Sequence, residues 1–116
     1  MGGPQPLDRI LILKMSWLEL ILAGNKTLEI RGKRLSPGKY WLGNHKMIYG
    51  SVEIGCAIPV CSVEQWQSLR SRHLLDNVVP PYRNTYALPI LSAQATRRVP
   101  FRHPRGAIGI VKYRRI

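Results

Sequence analysis

The stretch Gly24-Asn25-Lys26-Thr27-Leu28-Glu29-Ile30-Arg31 joins a helix to a strand and decides how the rest of the chain is interpreted. Gly24 readily adopts the left-handed conformation that is common just after a helix. From Thr27 onward apolar and polar residues alternate, which is typical of a strand with one apolar face. Leu28 and Ile30 then share one face, and the polar residues of the stretch share the other. The sequence therefore predicts a helix that ends at Gly24, followed by a strand over residues 27–31.

Capping patterns mark two predicted helices. Ser16 is a good N-cap residue, and Glu19 three positions later completes a capping box, so the first helix is predicted to run from Ser16 to Gly24. A second capping box at residues 62–65 predicts a helix that extends to about Arg72. Upstream, the apolar run at residues 10–13 is typical of a strand buried on both faces, although a helix start would give the same pattern.

The remaining segments predict strands and loops. A turn at Pro37-Gly38 precedes a short strand at residues 39–42. Three further strands are predicted at residues 47–60 with bends at Gly50 and Gly55, at residues 86–96 with a break at Pro89, and at residues 107–113. The loops fall at residues 74–84 and 97–106.

This order of elements predicts the fold class. The pattern β-α-β-β-β-α-β-β with short turns favours a mostly β, α+β fold, a small β-barrel with two or three helices packed outside it. A chain of 116 residues suits one domain. We assign residues 9–116 to that domain and expect residues 1–8 to form a disordered lead-in.

Charge and cysteine content limit which partner and which cellular compartment are expected. Eighteen Lys and Arg residues against six Asp and Glu residues give a net charge of +12, which a nucleic acid or nucleotide would offset. A basic surface without a dedicated partner is the alternative. Cys56 and Cys61 lack the spacing of a zinc site and are expected to be buried free thiols. This suits a reducing intracellular compartment, cytoplasmic or nuclear. No apolar run is long enough for a transmembrane helix, and we expect no membrane association.

Taken together, these motifs resemble the ASCH domain family. The resemblance rests on the capped helix, then Gly24-x-Lys26-Thr27-x-Glu29-x-Arg31, then the Pro37-Gly38 turn and a long strand. Trp17 occupies the place of the family's helix aromatic, and Tyr86-Ala87 is similar to the start of its later strand. The similarity spans about Ile10 to Tyr113. It implies a PUA-like β-barrel with a cleft beside the motif that is suited to RNA, a modified nucleoside or another small ligand.

The candidate ligand-binding residues surround that motif. They are Trp17, Lys26, Thr27, Glu29, Arg31, Tyr86, Arg102 and His103. Glu29 would accept hydrogen bonds from an amine or a hydroxyl, Arg31 would grip a phosphate in a bidentate manner, and Lys26 would supply a mobile charge. Trp17, or alternatively Trp41, would stack a base, whereas Trp66 is expected in the core. A charge network on a solvated strand face is the alternative for the polar residues.

Three functions remain open at this stage. The first is a non-catalytic module that binds RNA or a nucleotide. The second is a hydrolase acting on RNA or a modified nucleoside, a ribonuclease or an acetylcytidine amidase, with Lys26 and Glu29 as catalytic residues. In the amidohydrolase relatives the motif lysine activates a threonine three residues later, where this chain has Glu29, which argues against that route. The third is a protein-interaction module of coactivator type. We expect no metal and no cofactor, and a monomer or weak dimer.

Overall fold

The computed structural model describes residues 2–116, which form seven strands and three short helices. The strands are β1 (Arg9–Ile12), β2 (Leu28–Arg31), β3 (Gly38–Asn44), β4 (Met47–Ile54), β5 (Ile58–Val60), β6 (Thr85–Pro100) and β7 (Ile110–Lys112). The helices are α1 (Met15–Leu22), α2 (Val63–Ser68) and α3 (Arg70–His73). This strand-rich α+β composition confirms the predicted fold class.

One curved sheet contains all seven strands. Its order is β2-β6-β4-β3-β1-β7, with β5 paired to β6, and only the β1–β3 pair is parallel. β4 bends at Gly50, where the register with β6 shifts. A Cβ atom at Gly50 would lie 2.6 Å from the Gln94 carbonyl oxygen, so only glycine allows this close approach. The sheet thereby curls into a half-barrel with the helices around it.

Three apolar clusters hold the sheet and the helices together. Inside the curve, Leu11, Leu42 and Leu88 pack with Leu18 and Ile21 of α1. On the outer face, a second cluster is built around Trp41 and Phe101. The third cluster lies where Trp66 of α2 covers Leu28 and Ile30. Leu28 and Ile30 thus share one face of β2, as the alternation predicted, and Glu29 and Arg31 lie on the opposite face, toward the barrel interior.

The two helix starts differ from each other. Ser62 caps α2 as predicted, since its hydroxyl accepts a hydrogen bond from the Gln65 amide at 3.0 Å. The prediction for Ser16 is wrong, because α1 begins at Met15 and its N-cap residue is Lys14, which makes no side-chain capping bond. Just before the helix, the Leu13 amide donates to the Gly43 carbonyl oxygen of β3, and α1 begins one residue before the predicted start.

Two strand boundaries also differ from the predictions. The strand expected at residues 47–60 is divided into β4 and β5, with a break at residues 55–57. Conversely, β6 runs through Pro89 and takes up residues 97–100 of the expected loop. Pro89 is tolerated because it lies opposite Leu28 at the start of β2, where β6 changes its partner from β2 to β4.

The chain's ends and its cysteines complete the outline. The prediction of buried thiols is wrong: Cys56 and Cys61 are both free and exposed, one in the β4–β5 break and one just before α2. Of the expected lead-in, residue 1 lies outside the described residues. Leu7 is hydrogen-bonded to Tyr113, so the bonded part of the domain begins before Arg9. Among residues 2–116, no helix has the length and hydropathy needed to cross a membrane.

Candidate functional site

Three charged side chains of the motif meet at the inner face of β2. The Arg31 Nε atom donates to the Glu29 carboxylate at 2.9 Å, and the Lys26 ammonium lies 3.9 Å from the other carboxylate oxygen. Arg31 Nη2 also donates to the Ile12 carbonyl at 2.9 Å. Because β1 and β2 are not paired in the sheet, this guanidinium bridges the gap between the two sides of the half-barrel. We call these three residues the motif triad.

Lys26 is the most buried member of the motif triad. Only 1 % of its surface is exposed, and its ammonium donates to the His73 carbonyl oxygen at 2.5 Å. That carbonyl belongs to the end of α3, where the negative end of the helix favours a cation. The expectation that Lys26 is a mobile charge is therefore wrong, because the lysine is fixed by α3 on one side and by Glu29 on the other.

Burial shifts the proton affinities of this pair in opposite directions. Desolvation lowers the pKa of Lys26 from 10.5 to about 8; Glu29 opposes this shift and Arg31 adds to it. Desolvation likewise raises the pKa of the Glu29 carboxyl, although both cations oppose it. The motif triad thus contains a lysine and a glutamate whose pKa values are both displaced toward neutral pH.

His73 supports Lys26 from behind. Its ring is buried and stacks on Trp66 with ring centroids 3.8 Å apart. The Leu75 amide donates to Nδ1 at 2.9 Å, so the neutral ring carries its proton on Nε2, 3.2 Å from the Trp66 carbonyl oxygen. Burial lowers the pKa of His73, which is consistent with this neutral form.

The motif triad lines a cleft with aromatic residues at its sides. The cleft has a volume of about 280 Å³, and both Trp17 and Tyr82 contribute to its walls. The Lys26 ammonium lies 4.8 Å from the centroid of the Trp17 ring, which is partly exposed. Tyr82 reaches the cleft because Gly32 has no side chain: a Cβ atom there would lie 3.1 Å from the tyrosine ring.

A larger cavity adjoins this cleft. Its volume is about 720 Å³, and both spaces are lined by Leu13, Lys14, Arg31 and Tyr82. The far wall of the larger cavity is apolar and includes Leu35 and Ile108. Ligand pockets for small molecules span roughly 300–1,000 Å³, so the two spaces together have the size of a small-molecule site.

The other predicted ligand-binding residues lie outside the cleft. Thr27 accepts a hydrogen bond from Arg72 at 3.1 Å, and Tyr86 packs against the inner core with Arg34 over its ring. Arg102 is exposed in the segment before β7. His103 stacks on Phe101 and is bonded to the Ala107 carbonyl at 2.7 Å. The structure therefore brings together Trp17, Lys26, Glu29 and Arg31, and it does not bring these other four to the cleft.

Two residues of the site were not predicted. No pattern in the sequence selects His73 or Tyr82, because each reaches the motif only through the tertiary fold. The pair Pro80-Pro81 just before Tyr82 indicates a stiff loop but not its destination. Among residues 2–116, no three potential ligands lie close enough together to hold a metal ion.

Comparison with known proteins identifies the fold. No family model matches the sequence, and no curated protein matches it. The crystal structure of ASCH from Zymomonas mobilis is similar with a TM-score of 0.72 at 15 % identity, over 93 % of this chain and 88 % of that chain. Two mutant forms of that protein each give a TM-score of 0.71. One is 16 % identical over 97 % of this chain and 92 % of that chain. The other is 15 % identical over 93 % of this chain and 91 % of that chain. The chain therefore has an ASCH-like fold, as its motif predicted.

Proposed function

We propose that this protein binds RNA or a nucleotide in the cleft beside the motif triad. One fold can host many functions, so the proposal rests on the site itself. The observation that carries it is the buried Lys26–Glu29–Arg31 arrangement, which opens into a cleft with aromatic walls.

The energetic cost of the motif triad supports a binding role. Moving an ion pair out of water costs several kcal/mol per ion, and apolar residues of similar volume often stabilise a fold better. Lys26 and Glu29 are 1 % and 6 % exposed, yet they border open space rather than a sealed core. Perturbed titratable groups of this kind cluster at functional sites.

The unused hydrogen-bond donors and the aromatic rings of the site suit a nucleotide. Arg31 uses Nε and Nη2 within the protein, which leaves Nη1 without a hydrogen-bond partner among residues 2–116. Both hydrogens of Nη1 and the second hydrogen of Nη2 are therefore available to a phosphate, and the bidentate grip expected from the sequence stays part of the proposal. Trp17 and Tyr82 offer rings on which a base stacks, an interaction worth about 1–3 kcal/mol per base.

A matched pair of charge variants tests the proposal. We expect nucleoside 5′-monophosphates, titrated by calorimetry, to bind the wild type and to bind Arg31→Gln at least tenfold more weakly. Arg34→Gln removes the same charge from a neighbouring exposed residue that lies outside the cleft, and it should bind nearly as the wild type does. Trp17→Leu should weaken binding roughly ten- to hundredfold by loss of stacking. Equal losses in Arg31→Gln and Arg34→Gln, or no binding to the wild type, would refute the proposal.

The lowered pKa of Lys26 favours a second candidate, hydrolysis of RNA or a modified nucleoside. With a pKa of about 8, the ammonium exchanges its proton near neutral pH, as a general acid or base must. Labelled RNA and N4-acetylcytidine are suitable probes. Turnover that is lost in both Lys26→Met and Glu29→Gln and retained in Arg34→Gln would support this candidate, and turnover unchanged by Glu29→Gln would reject the role of that carboxylate.

A further inference from the structure

A second concave surface lies on the outer face of the sheet. Along β3, Tyr40 and Leu42 point into the inner core, so Lys39 and Trp41 point outward. A groove of about 390 Å³ lies over this outer face and adjoins a second depression of about 330 Å³. The two share Lys39 and Trp41, and we call them together the outer groove. The motif triad lies at the opposite face, on the inner side of the sheet.

The outer groove is lined by cationic side chains with few acidic residues nearby to neutralise them. Lys39, Arg97 and Lys112 line it, and none of the three makes an ion pair with another of residues 2–116. Asp8 is the one carboxylate in its lining, and its Oδ2 already accepts from Trp41 Nε1 at 3.0 Å and from the Gln5 amide at 2.9 Å. The local charge is therefore positive, and it is unbalanced.

The ring of Trp41 fixes one of these charges in place. The Lys39 ammonium lies 4.2 Å from the ring centroid, a cation–π contact that holds the ammonium over the floor of the groove. Glu53 lies opposite Lys39 on β4, but it does not line the groove and makes no ion pair with it. A positioned cation loses less conformational entropy on binding an anion than a free lysine does.

An unsatisfied hydroxyl provides an independent observation. Thr96 Oγ1 is buried and lacks a hydrogen-bond partner within residues 2–116, and it is the one such side-chain atom there. Buried polar groups are nearly always bonded, so an unbonded one calls for a missing partner. Thr96 lines the groove together with Ser51 and Gln94, which are neighbours across the β4–β6 pair. The floor of the groove thus offers hydroxyl and amide groups beside its cations.

We propose that the outer groove binds the sugar–phosphate backbone of a single nucleic-acid strand. Hydrogen bonds to phosphate oxygens come mostly from Arg and Lys, with Ser, Thr, Asn and Gln completing the set, and the groove presents this mixture. The expected contacts are to phosphate and sugar, and Trp41 offers no face for stacking a base, since it is only 3 % exposed and lies beneath Lys39. Binding at this groove is therefore independent of base sequence.

Salt dependence of binding tests the proposal. Fluorescence anisotropy with labelled ten-nucleotide oligouridylate and oligothymidylate at several NaCl concentrations gives the slope of log affinity against log salt. Loss of two phosphate contacts on a single strand reduces that slope by roughly 1.4. We expect this reduction for Lys39→Gln/Arg97→Gln with both oligonucleotides. The matched control Arg105→Gln/Arg115→Gln removes two charges from exposed positions outside the groove and should change the slope much less.

A second variant distinguishes binding in the outer groove from general charge attraction. Thr96→Val keeps the shape of the residue and removes the unbonded hydroxyl, so the unfolding midpoint should not fall. Oligonucleotide affinity should fall several-fold. Equal slopes for the groove and control variants, unchanged affinity of Thr96→Val, or equal competition by polyglutamate would each overturn the proposal. Lys39→Gln/Arg97→Gln alters no residue of the cleft and should bind nucleoside 5′-monophosphates as the wild type does, so failure here is distinguishable from failure at the cleft.

Discussion

At the scale of single residues, Lys26 is the most informative position in the chain. Its ammonium is buried beside Glu29 and bonded to the carbonyl of His73, and its proton is held weakly for a lysine. An apolar residue of similar length would avoid the desolvation cost. The residue that gives the site its chemistry is therefore one that the fold holds at a cost in stability.

Lys26→Met should change stability in a pH-dependent way. The pKa of this lysine is 10.5 when unperturbed and about 8 in the folded protein, so between these pH values the unfolded chain binds more protons. Wild-type stability relative to the variant therefore rises as the pH increases from 8 toward 10.5, and below pH 8 the full cost of the buried charge is present. Urea unfolding at about pH 7 and pH 10 should show the difference shifting by roughly 2 kcal/mol in favour of the wild type. Lys33→Met, at an exposed lysine, serves as the control, and a pH-independent difference for Lys26→Met would contradict the account.

At the scale of elements, the two capping serines show what local sequence can and cannot determine. Ser62 and Ser16 carry equivalent patterns, but only Ser62 caps a helix. The residues just before α1 are held against β3 by the bond between the Leu13 amide and the Gly43 carbonyl, a contact between residues far apart in sequence. A local pattern is reliable when no tertiary contact competes with it.

Alanine substitution at these two serines should separate their roles. Ser62→Ala removes the hydrogen bond to the Gln65 amide and should lower the free energy of unfolding by about 1 kcal/mol. Ser16→Ala lies within α1, where alanine is the better helix former, and should leave stability equal or slightly higher. Urea denaturation measures both, and an equal loss in the two variants would show that Ser16 caps α1 after all.

The same distinction explains which parts of the fold and site were predictable. The alternation in β2 placed Glu29 and Arg31 on one face, because strand periodicity is a local property. The passage of β6 through Pro89 was not predictable, since it depends on which partner strand lies opposite that residue. Tyr82 and the His73 carbonyl meet the motif only after the sheet has curled, so no spacing in the sequence reveals them.

At the scale of the whole molecule, the main feature is the excess of positive charge. The net charge is +12, while residues 2–116 contain three ion pairs, one of which, Arg70–Asp76, is on the surface. Repulsion among the remaining cations opposes the compact state. The two concave surfaces lie on opposite faces of the sheet, so a single strand contacting both would have to pass around its edge.

Salt should therefore stabilise the fold. Raising NaCl from about 50 mM to 500 mM screens the repulsion and should increase the midpoint of thermal unfolding. Differential scanning fluorimetry follows this change. A midpoint that falls with salt would indicate that attractive pairs, and not repulsion, dominate the electrostatic balance.

Entry of a nucleotide into the cleft beside Trp17 can be followed by the indole N–H signals of the protein. The chain has three tryptophans, and the Nε1 atoms of Trp41 and Trp66 are already bonded to Asp8 and Asn77. In a titration of ¹⁵N-labelled protein with a nucleoside 5′-monophosphate, we expect a progressive shift of the Trp17 indole signal while the other two stay nearly fixed. A Trp17 signal that does not move at saturating nucleotide, or a shift centred on Trp66, would contradict it.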